Sequence, residues 1–316
     1  MNLPTISIVI PTFNSEQVII KCLESIKKQD YPKDKIEIII ADGGSTDNTI
    51  KICKKYTKKI FDNRLKTGEA GKAVGVKHAK NEIIALVDSD NILDRKDWLK
   101  RMVEPFQDKE IIASEPLYYT YRKEDGYITR YCALLGMNDP LCLFLGNYDR
   151  YCTLTGKWTE MPVEEEDKGN YLKISLNEKK IPTIGANGFV IKRKYVKDVK
   201  DYLFDIDVLY DLVKENKVAK VKIGIIHLFS GNFKTFIKKQ KRRINDYRTY
   251  KDLRKYPWGN LSKLRLFKFV LYTGLVFPLI FQSFKGYFKK RDSSWFMHPL
   301  FCWGTLLVYG YGKLKK

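Results

Sequence analysis

Three runs early in the chain, ISIVI at 6–10, IEIII at 36–40 and IIALV at 83–87, constrain the fold more than any other feature. Each is apolar at nearly every position and rich in β-branched residues, without the alternation of a strand that has one wet face. Such runs read as strands buried on both sides, the pattern of a parallel sheet. The sequence between them supplies helices. Val18, Ile19, Cys22, Leu23 and Ile26 fall at helical spacing, with Asn14 or Ser15 as the cap and Tyr31-Pro32 as the stop. Ile50, Cys53 and Ile60 mark a second helix opened by Ser45-Thr46-Asp47, and a Gly- and Ala-containing helix is expected over 69–80. Strand, helix, strand, helix, strand is the signature of an open α/β sheet, which binds ligands at the carboxyl ends of its strands.

Polar residues stand where that rule requires them. Pro11-Thr12-Phe13-Asn14-Ser15-Glu16 follows the first run, Ala41-Asp42-Gly43-Gly44-Ser45-Thr46-Asp47 the second, and Asp88-Ser89-Asp90-Asn91 the third. Three polar loops at one edge of a parallel sheet define a site. Asp88 and Asp90, separated by one residue at a strand end, project to the same side and suit a hard divalent cation bridging to a phosphorylated ligand. A lone DxD arises often by chance. As the third loop of this series it is the best-supported site in the chain.

The segments SIVIPTFNSE, EIIIADGGSTDNT, GKAVGVKHAKNEIIALVDSDN and IPTIGANGFVIKR, with FDIDV after them, resemble the family 2 glycosyltransferases of the GT-A fold, in the family's order over about residues 5–245. The resemblance implies an α/β fold, with a Rossmann-like, nucleotide-sugar-binding mixed sheet and helices on both faces. It also implies a nucleotide-sugar donor, a Mg²⁺ or Mn²⁺ ion and inversion at the anomeric carbon. Pro11, Thr12, Asn14, Glu16, Asp42, Gly43 and Ser89 then lie on the donor side, with Lys72 beside the base or phosphates. Asp88 and Asp90 become the metal pair, Asp90 the closer ligand. His227, in GIIHLFSG, is either a third metal ligand or a hydrogen-bonded structural histidine. Gly185, Ala186 and Asn187 form the acceptor-side loop, where glycine allows close backbone approach. Asp205 takes the position of the general base, the other reading being a carboxylate that caps the helix DVLYDLVKEN. These roles suit the chemistry, because charge grows on the departing diphosphate and the acceptor hydroxyl is a poor nucleophile. Three positions depart from the family pattern: Phe204 stands where an acid normally precedes the base, Gly43 replaces the second Asp of DDGS, and Ala73 replaces an Asn. Gln240-Lys241-Arg242-Arg243 looks like the QxxR part of a QxxRW motif, with Ile244 in place of Trp. On that likeness Gln240 and Arg243 reach the donor diphosphate; the other reading makes all four surface residues.

The charge is uneven. The 58 Lys and Arg against 37 Asp and Glu give +21, of which residues 1–231 carry +4 and residues 232–316 carry +17. An apolar fraction of 44% excludes disorder, so the body is a folded domain and the basic excess is an address for something anionic. Over 232–256, Phe233, Phe236, Ile237, Ile244, Tyr247 and Tyr250 fall near one helical face among ten basic residues, as in an amphipathic helix on a membrane surface. Phe269–Phe284 and Ser293–Gly312, 16 and 20 residues without a charge, would reach about 24 and 30 Å as helices, against a hydrocarbon core of roughly 30 Å. The basic linker between them resists translocation, so the hairpin either crosses the bilayer or enters without crossing. The expected division is a catalytic domain over 1–231, an interfacial helix over 232–262 and a membrane-associated hairpin over 263–316.

Residues 115–183 show no clear period, and Glu164-Glu165-Glu166-Asp167 reads as a solvated loop. Trp158 is either a sugar-stacking platform or core; His78 and His298 have no functional context. Six cysteines without CxxC or metal spacing indicate reduced thiols in a cytosol-facing protein. The first hydrophobics lack the basic and apolar pattern of a signal peptide and are assigned to the fold. The expected protein is an inverting, metal-dependent glycosyltransferase on the cytoplasmic side of the cell membrane. Its partners would be a nucleotide-sugar donor, a hydroxyl of a lipid-linked or membrane-borne glycan, and membrane lipids, without nucleic acid. A polyprenyl-phosphate glycosyltransferase is the alternative within the class. A non-catalytic anionic-lipid or nucleic-acid binder is the alternative outside it, and leaves the strand-end carboxylates unexplained.

Overall fold

The computed structural model describes residues 3–185, 187–196, 199–203, 205–229, 231–256 and 262–314. The apolar runs become β1 (Ile6–Thr12), β2 (Ile36–Asp42) and, after a short β3 (Ile60–Asp62), β4 (Ile83–Leu86). β1 lies parallel to both β2 and β4, with Ile6 opposite Ile36 and Ile83 and Thr12 opposite Asp42. Ile8, Val9, Ile10, Ile39, Ile40 and Ile84 are fully buried, each such side chain contributing about 1.5–3 kcal/mol. The remaining strands are β5 (Asn91–Ile92), β6 (Ile111–Tyr119), β7 (Glu164–Asp167), β8 (Tyr171–Ser175), β9 (Phe189–Lys192) and β10 (Lys217–His227). The sheet runs β3-β2-β1-β4-β9-β6-β10-β8-β7, with β5 paired to β10. Beyond β4 the pairings turn antiparallel, so the sheet is mixed. Its helices are α1 (Glu16–Lys27), α2 (Thr49–Cys53), α3 (Gly68–His78) and α4 (Trp98–Val103), followed by α5 (Tyr127–Leu135), α6 (Leu141–Leu145) and α7 (Asp205–Leu212).

α3 packs directly on β1. A Cβ at Gly71 would stand 2.7 Å from the Pro11 side chain, and one at Gly75 would overlap Val9. The two glycines, one turn apart, thus let the helix backbone close onto the strand.

Two expectations about local structure are corrected. Ile60 is not on a helix: α2 stops after five residues and Ile60-Phe61-Asp62 forms β3, parallel to β2. A β-branched residue followed by an aromatic fits a pleated surface better than a helix end. The acidic cluster Glu164–Asp167 is solvated but is a strand, β7, at the edge of the sheet. Asp167 takes the Lys222 ammonium at 2.7 Å, and a charged edge discourages pairing with other chains.

The chain divides into two compact units, Met1–Tyr118 with Pro162–Leu228, and Tyr119–Met161 with Phe229–Lys316. The break near residue 229 adjoins the expected 231/232 boundary, and residues 119–161 belong to the second unit. That unit adds α8 (Phe233–Tyr250), α9 (Lys263–Leu275), α10 (Phe277–Lys289) and α11 (His298–Leu314). Its core gathers Tyr131, Tyr148, Phe236, Phe269, Trp295 and Phe301, all essentially without solvent exposure. Trp158 is buried here as well.

The interfacial-helix and hairpin expectations change accordingly. α8 forms, but its apolar face is occupied: Phe236 packs between Phe229, Phe233 and Phe301. Gly304 and Gly312 of α11 receive Ile237 and Ile244, a Cβ at either glycine coming within 2.7 and 2.5 Å of them. One side of the run Ser293–Gly312 is therefore core material, with Trp295, Phe301, Cys302 and Thr305 fully buried, while Phe296, Leu300, Trp303, Leu307 and Tyr311 on it are exposed. Among the described residues no single helix is long and apolar enough to cross a membrane; α9 and α10 satisfy length and composition only as a pair bent by 93°.

Candidate active site

The parallel register aligns the ends of β1 and β2, and the side chains there are held by one another. Asp42 Oδ1 accepts from Thr12 Oγ1 at 3.0 Å and Ser45 Oγ at 2.6 Å, while Oδ2 accepts from the Gly44 and Ser45 N–H groups at 2.9 and 2.8 Å. Four donors thus satisfy the oxygens of this buried carboxylate. The Gly43 N–H donates to Thr12 O at 2.8 Å. Asn14 sits in the left-handed region at φ 47°, which Asn tolerates. It donates its N–H to Ser45 Oγ and accepts from the Thr46 N–H, at 2.9 and 2.8 Å. Glu16 Oε2 accepts from the Asn48 backbone and side-chain amides, both at 3.0 Å. Ser15 holds the N-cap position of α1 without making the capping bond; its Oγ instead lies 3.1 Å from Ser89 Oγ, and its N–H donates to Thr49 Oγ1 at 2.7 Å. All three strand-end loops are thereby stitched together.

The third loop carries the DxD pair. The Asp88 N–H donates to Asn91 Oδ1 at 3.0 Å, and Asn91 Nδ2 donates to Asn187 Oδ1 at 3.1 Å. Asn91, on β5, stands opposite His227 on β10, and this pairing brings His227 Nε2 to 3.4 Å from Asp90 Oδ1. Of the proposed metal ligands, the structure thus gathers Asp90 with His227, and Asp88 stays on the same half-buried loop. The field here is negative: burial, with Asp90 and Asp88 beside it, pushes the Cys22 thiol up. Carboxylate oxygen with imidazole nitrogen suits Mg²⁺ or Mn²⁺. Among the described residues no three His, Cys, Asp or Glu side chains stand close enough to hold an ion unaided. Sites that use substrate phosphates to complete the coordination shell have that character.

The loop expected to face the acceptor is fixed by buried partners. The Gly185 N–H donates to Glu115 Oε1 at 2.9 Å, and Glu115 Oε2 meets Lys220 Nζ at 2.6 Å, both side chains fully buried. Asn187 is buried at φ 54°. Gly188, at φ 88°, donates to Leu86 O at 2.9 Å, where a Cβ would stand 2.8 Å from Ile225. Ala186 and Phe204 lie outside the described residues. Lys72 is buried on α3. The Leu203 N–H donates to Glu69 O at 3.2 Å, which hangs the chain two residues ahead of Asp205 on the helix that carries Lys72. Asp205 is the first residue of α7.

Gln240 and Arg243 belong to the second unit, where their polar atoms are engaged. Gln240 is buried; its Nε2 donates to Asn138 O at 3.2 Å, and its Oε1 accepts from Tyr309 Oη at 3.0 Å. Arg243 donates to Asn138 O at 3.1 Å and to Gln240 Oε1 at 3.2 Å. Of the four residues of the QxxR stretch, only Lys241 and Arg242 are exposed. Sequence reasoning gives Ser15 only a capping role, gives Asn91 none beyond its place in the third loop, and does not name the Glu115–Lys220 pair. Signals existed for two of them: Asn91 directly follows the DxD, and Glu115 is a lone acid inside the apolar run IIASEPL.

A mixed α/β sheet whose parallel strand ends carry a polar crown and a DxD loop defines the GT-A class. Residues 7–199, more than half of the chain, match the model of Glycosyl transferase family 2, and the chain belongs to that family. It is 36% identical over 129 residues to the glycosyltransferase GlyG of Streptococcus pneumoniae, covering 38% of this chain and 41% of that protein. Over 109 residues it is 41% identical to a dolichyl N-acetyl-alpha-D-glucosaminyl phosphate 3-beta-D-2,3-diacetamido-2,3-dideoxy-beta-D-glucuronosyltransferase of Methanococcus voltae, covering 32% of this chain and 34% of that protein. The chain thus spans less than half of the length of either relative. In fold it is similar to the mannosyltransferase PcManGT of Pyrobaculum calidifontis, solved with GDP-Man and Mn²⁺, at a TM-score of 0.55 and 14% identity, covering 99% of this chain and 89% of that one.

Proposed function

We propose that the protein transfers a sugar, with inversion, from a nucleotide-diphosphate sugar to a hydroxyl of a lipid-linked or membrane-borne glycan at the cytoplasmic face of the cell membrane. The observation that carries this reading is the DxD loop, with Asp90 against His227 and Asn91 tying it to the acceptor-side Asn187. Pro11, Thr12, Asn14, Glu16, Asp42, Gly43 and Ser89 form the donor side of the site, with Lys72 facing the base or phosphates. Asp88, Asp90 and His227 would hold Mg²⁺ or Mn²⁺, which when bound supplies positive charge against the departing diphosphate. Asp205 takes the proton of the acceptor hydroxyl as its oxygen bonds to the anomeric carbon and the bond to the diphosphate oxygen breaks. Gly185, Ala186 and Asn187 orient the acceptor. The basic second unit supports a membrane setting, and the six cysteines, all free, accord with a reducing compartment.

The test is nucleotide diphosphate release from a panel of UDP- and GDP-sugars by detergent-solubilised protein, with and without Mn²⁺. Asp205→Asn should abolish transfer while donor binding is retained; unimpaired transfer would point instead to an acceptor that is already anionic, such as a polyprenyl phosphate. No metal-dependent turnover or donor binding with any sugar counts against the reading. Release from membranes by salt together with nucleic acid would favour the non-catalytic binder.

A further inference from the structure

The uncharged run Phe269–Phe284 is broken rather than continuous. α9 and α10 meet at Val276 with a bend of 93°. Val276 holds φ 63°, unfavourable for a β-branched residue, and a proline occupies the first turn of α10. Each arm has 13 residues and reaches about 20 Å, short of a hydrocarbon core of roughly 30 Å. Phe269, Thr273, Leu279 and Ser283 face the core of the unit. The opposite side of both arms is apolar and uncovered: Phe267, Leu271 and Leu275 on α9 are exposed, and Phe277, Phe281 and Phe288 on α10 are 81%, 71% and 77% exposed. Over residues 262–291 there are seven Lys and Arg and no Asp or Glu. A face that is hydrophobic in the middle and basic at its ends complements an anionic bilayer. Two copies docked through it would bring like charges together instead.

We propose that α9 and α10 form a wedge that enters one leaflet of an anionic bilayer. The bend at Val276-Phe277 lies deepest and the basic ends stay at the headgroups, so both ends of the pair remain on the same side. The wedge rests on the reading of a membrane-borne acceptor, and names the surface that meets the lipid.

The purified full chain should co-sediment with phosphatidylcholine vesicles containing about a third phosphatidylglycerol, and resist release by 1 M salt. Phe277→Asp/Phe281→Asp should lose on the order of a hundredfold in vesicle partitioning with an unchanged melting temperature, since both positions are exposed. Lys263→Cys and Lys290→Cys, reconstituted separately into sealed vesicles, should both react with a membrane-impermeant maleimide added outside; the six native cysteines, buried or half-buried, set the background. Protection of one site but not the other means a crossing pair and overturns the wedge. Unchanged partitioning of the double Asp variant also overturns it, as does wild-type protein that is dimeric and ignores vesicles. The vesicle assay uses neither donor nor acceptor. Its failure leaves the transferase reading standing, while absent turnover with intact vesicle binding strikes only the transferase reading.

Discussion

Replacing Lys220 by Met tests how the loop at Gly185 is held. Glu115 and Lys220 are fully buried, their charged atoms 2.6 Å apart, and the other oxygen of Glu115 takes the Gly185 N–H. Removing one partner of such a pair strands a charge in the interior, which costs about 3–5 kcal/mol. At about 2–4 °C per kcal/mol for a unit of this size, the melting temperature should fall by roughly 6–20 °C. The sign of the pH dependence is a further signature. Burial without its cation drives the Glu115 carboxyl towards protonation, so the native state binds a proton that the unfolded state releases, and the variant regains stability as pH falls from 8 to 5.5. Glu115→Gln/Lys220→Met carries neither charge and should recover most of the loss, because the attraction of a buried pair only about offsets its desolvation. Thermal and urea melts at pH 5.5, 7 and 8 read all three variants. A Lys220→Met protein within about 1 kcal/mol of wild type, flat with pH, would refute the reasoning.

Gly75→Ala should destabilise by about 1–3 kcal/mol in urea melts, because the new methyl overlaps Val9 and α3 must lift from β1. Asn91→Ala leaves the Asp88 N–H and the Asn187 side chain short of a partner; about 1–3 kcal/mol of stability should go with it, and transfer should fall more than donor affinity. His227→Ala should raise the half-saturating Mn²⁺ concentration by on the order of tenfold, with the melting temperature measured alongside to separate ligation from folding. Burial pushes His298 down to about 4; it sits between Tyr131 Oη at 2.6 Å and Gln282 Oε1 at 2.9 Å. Its folded pKa lies below the unfolded value of about 6.5, so stability is full above that value and is lost as pH falls towards 4. The loss is about 3 kcal/mol in total, and urea midpoints of His298→Asn should lack that slope.

The parallel half of the sheet was legible because its strands are buried on both faces, and a run such as ISIVI has few other homes. The crown was legible for the same reason: once β1, β2 and β4 are placed, the residues after them can only sit at one edge. The antiparallel half was not. β9 is only four residues long, β7 is wholly acidic, and β6 ends in tyrosines; each owes its strand state to a neighbour that hydrogen-bonds it, β9 to strands more than 70 residues away and β7 to the adjacent β8. The link from Asp90 to His227 belongs here too. It depends on β5, two residues long, finding β10. Ile60 shows the reverse error, since an apolar residue seven positions beyond Cys53 fits a helix by spacing and a strand by context.

The basic, amphipathic second unit shows where periodicity stops being informative. The stripe Phe233, Phe236, Ile237 and Ile244 demanded a cover, and a lipid surface and a neighbouring helix are equally apolar. What decides between them is shape: Gly304 and Gly312 are eight residues apart on one face of α11, and each removes a side chain where an α8 residue enters. The same test, applied to the next two helices, gives the opposite result. On the outer stripe of α9 and α10 the largest side chains, Phe277, Phe281 and Phe288, are instead exposed. Among the described residues the unit's own packing leaves two apolar stripes uncovered, that of α9 and α10 and a second along Phe296, Leu300, Leu307 and Tyr311; the proposed lipid contact is placed on α9 and α10 because that face is flanked at both ends by cations, part of the +17 of residues 232–316 that would hold it against anionic headgroups.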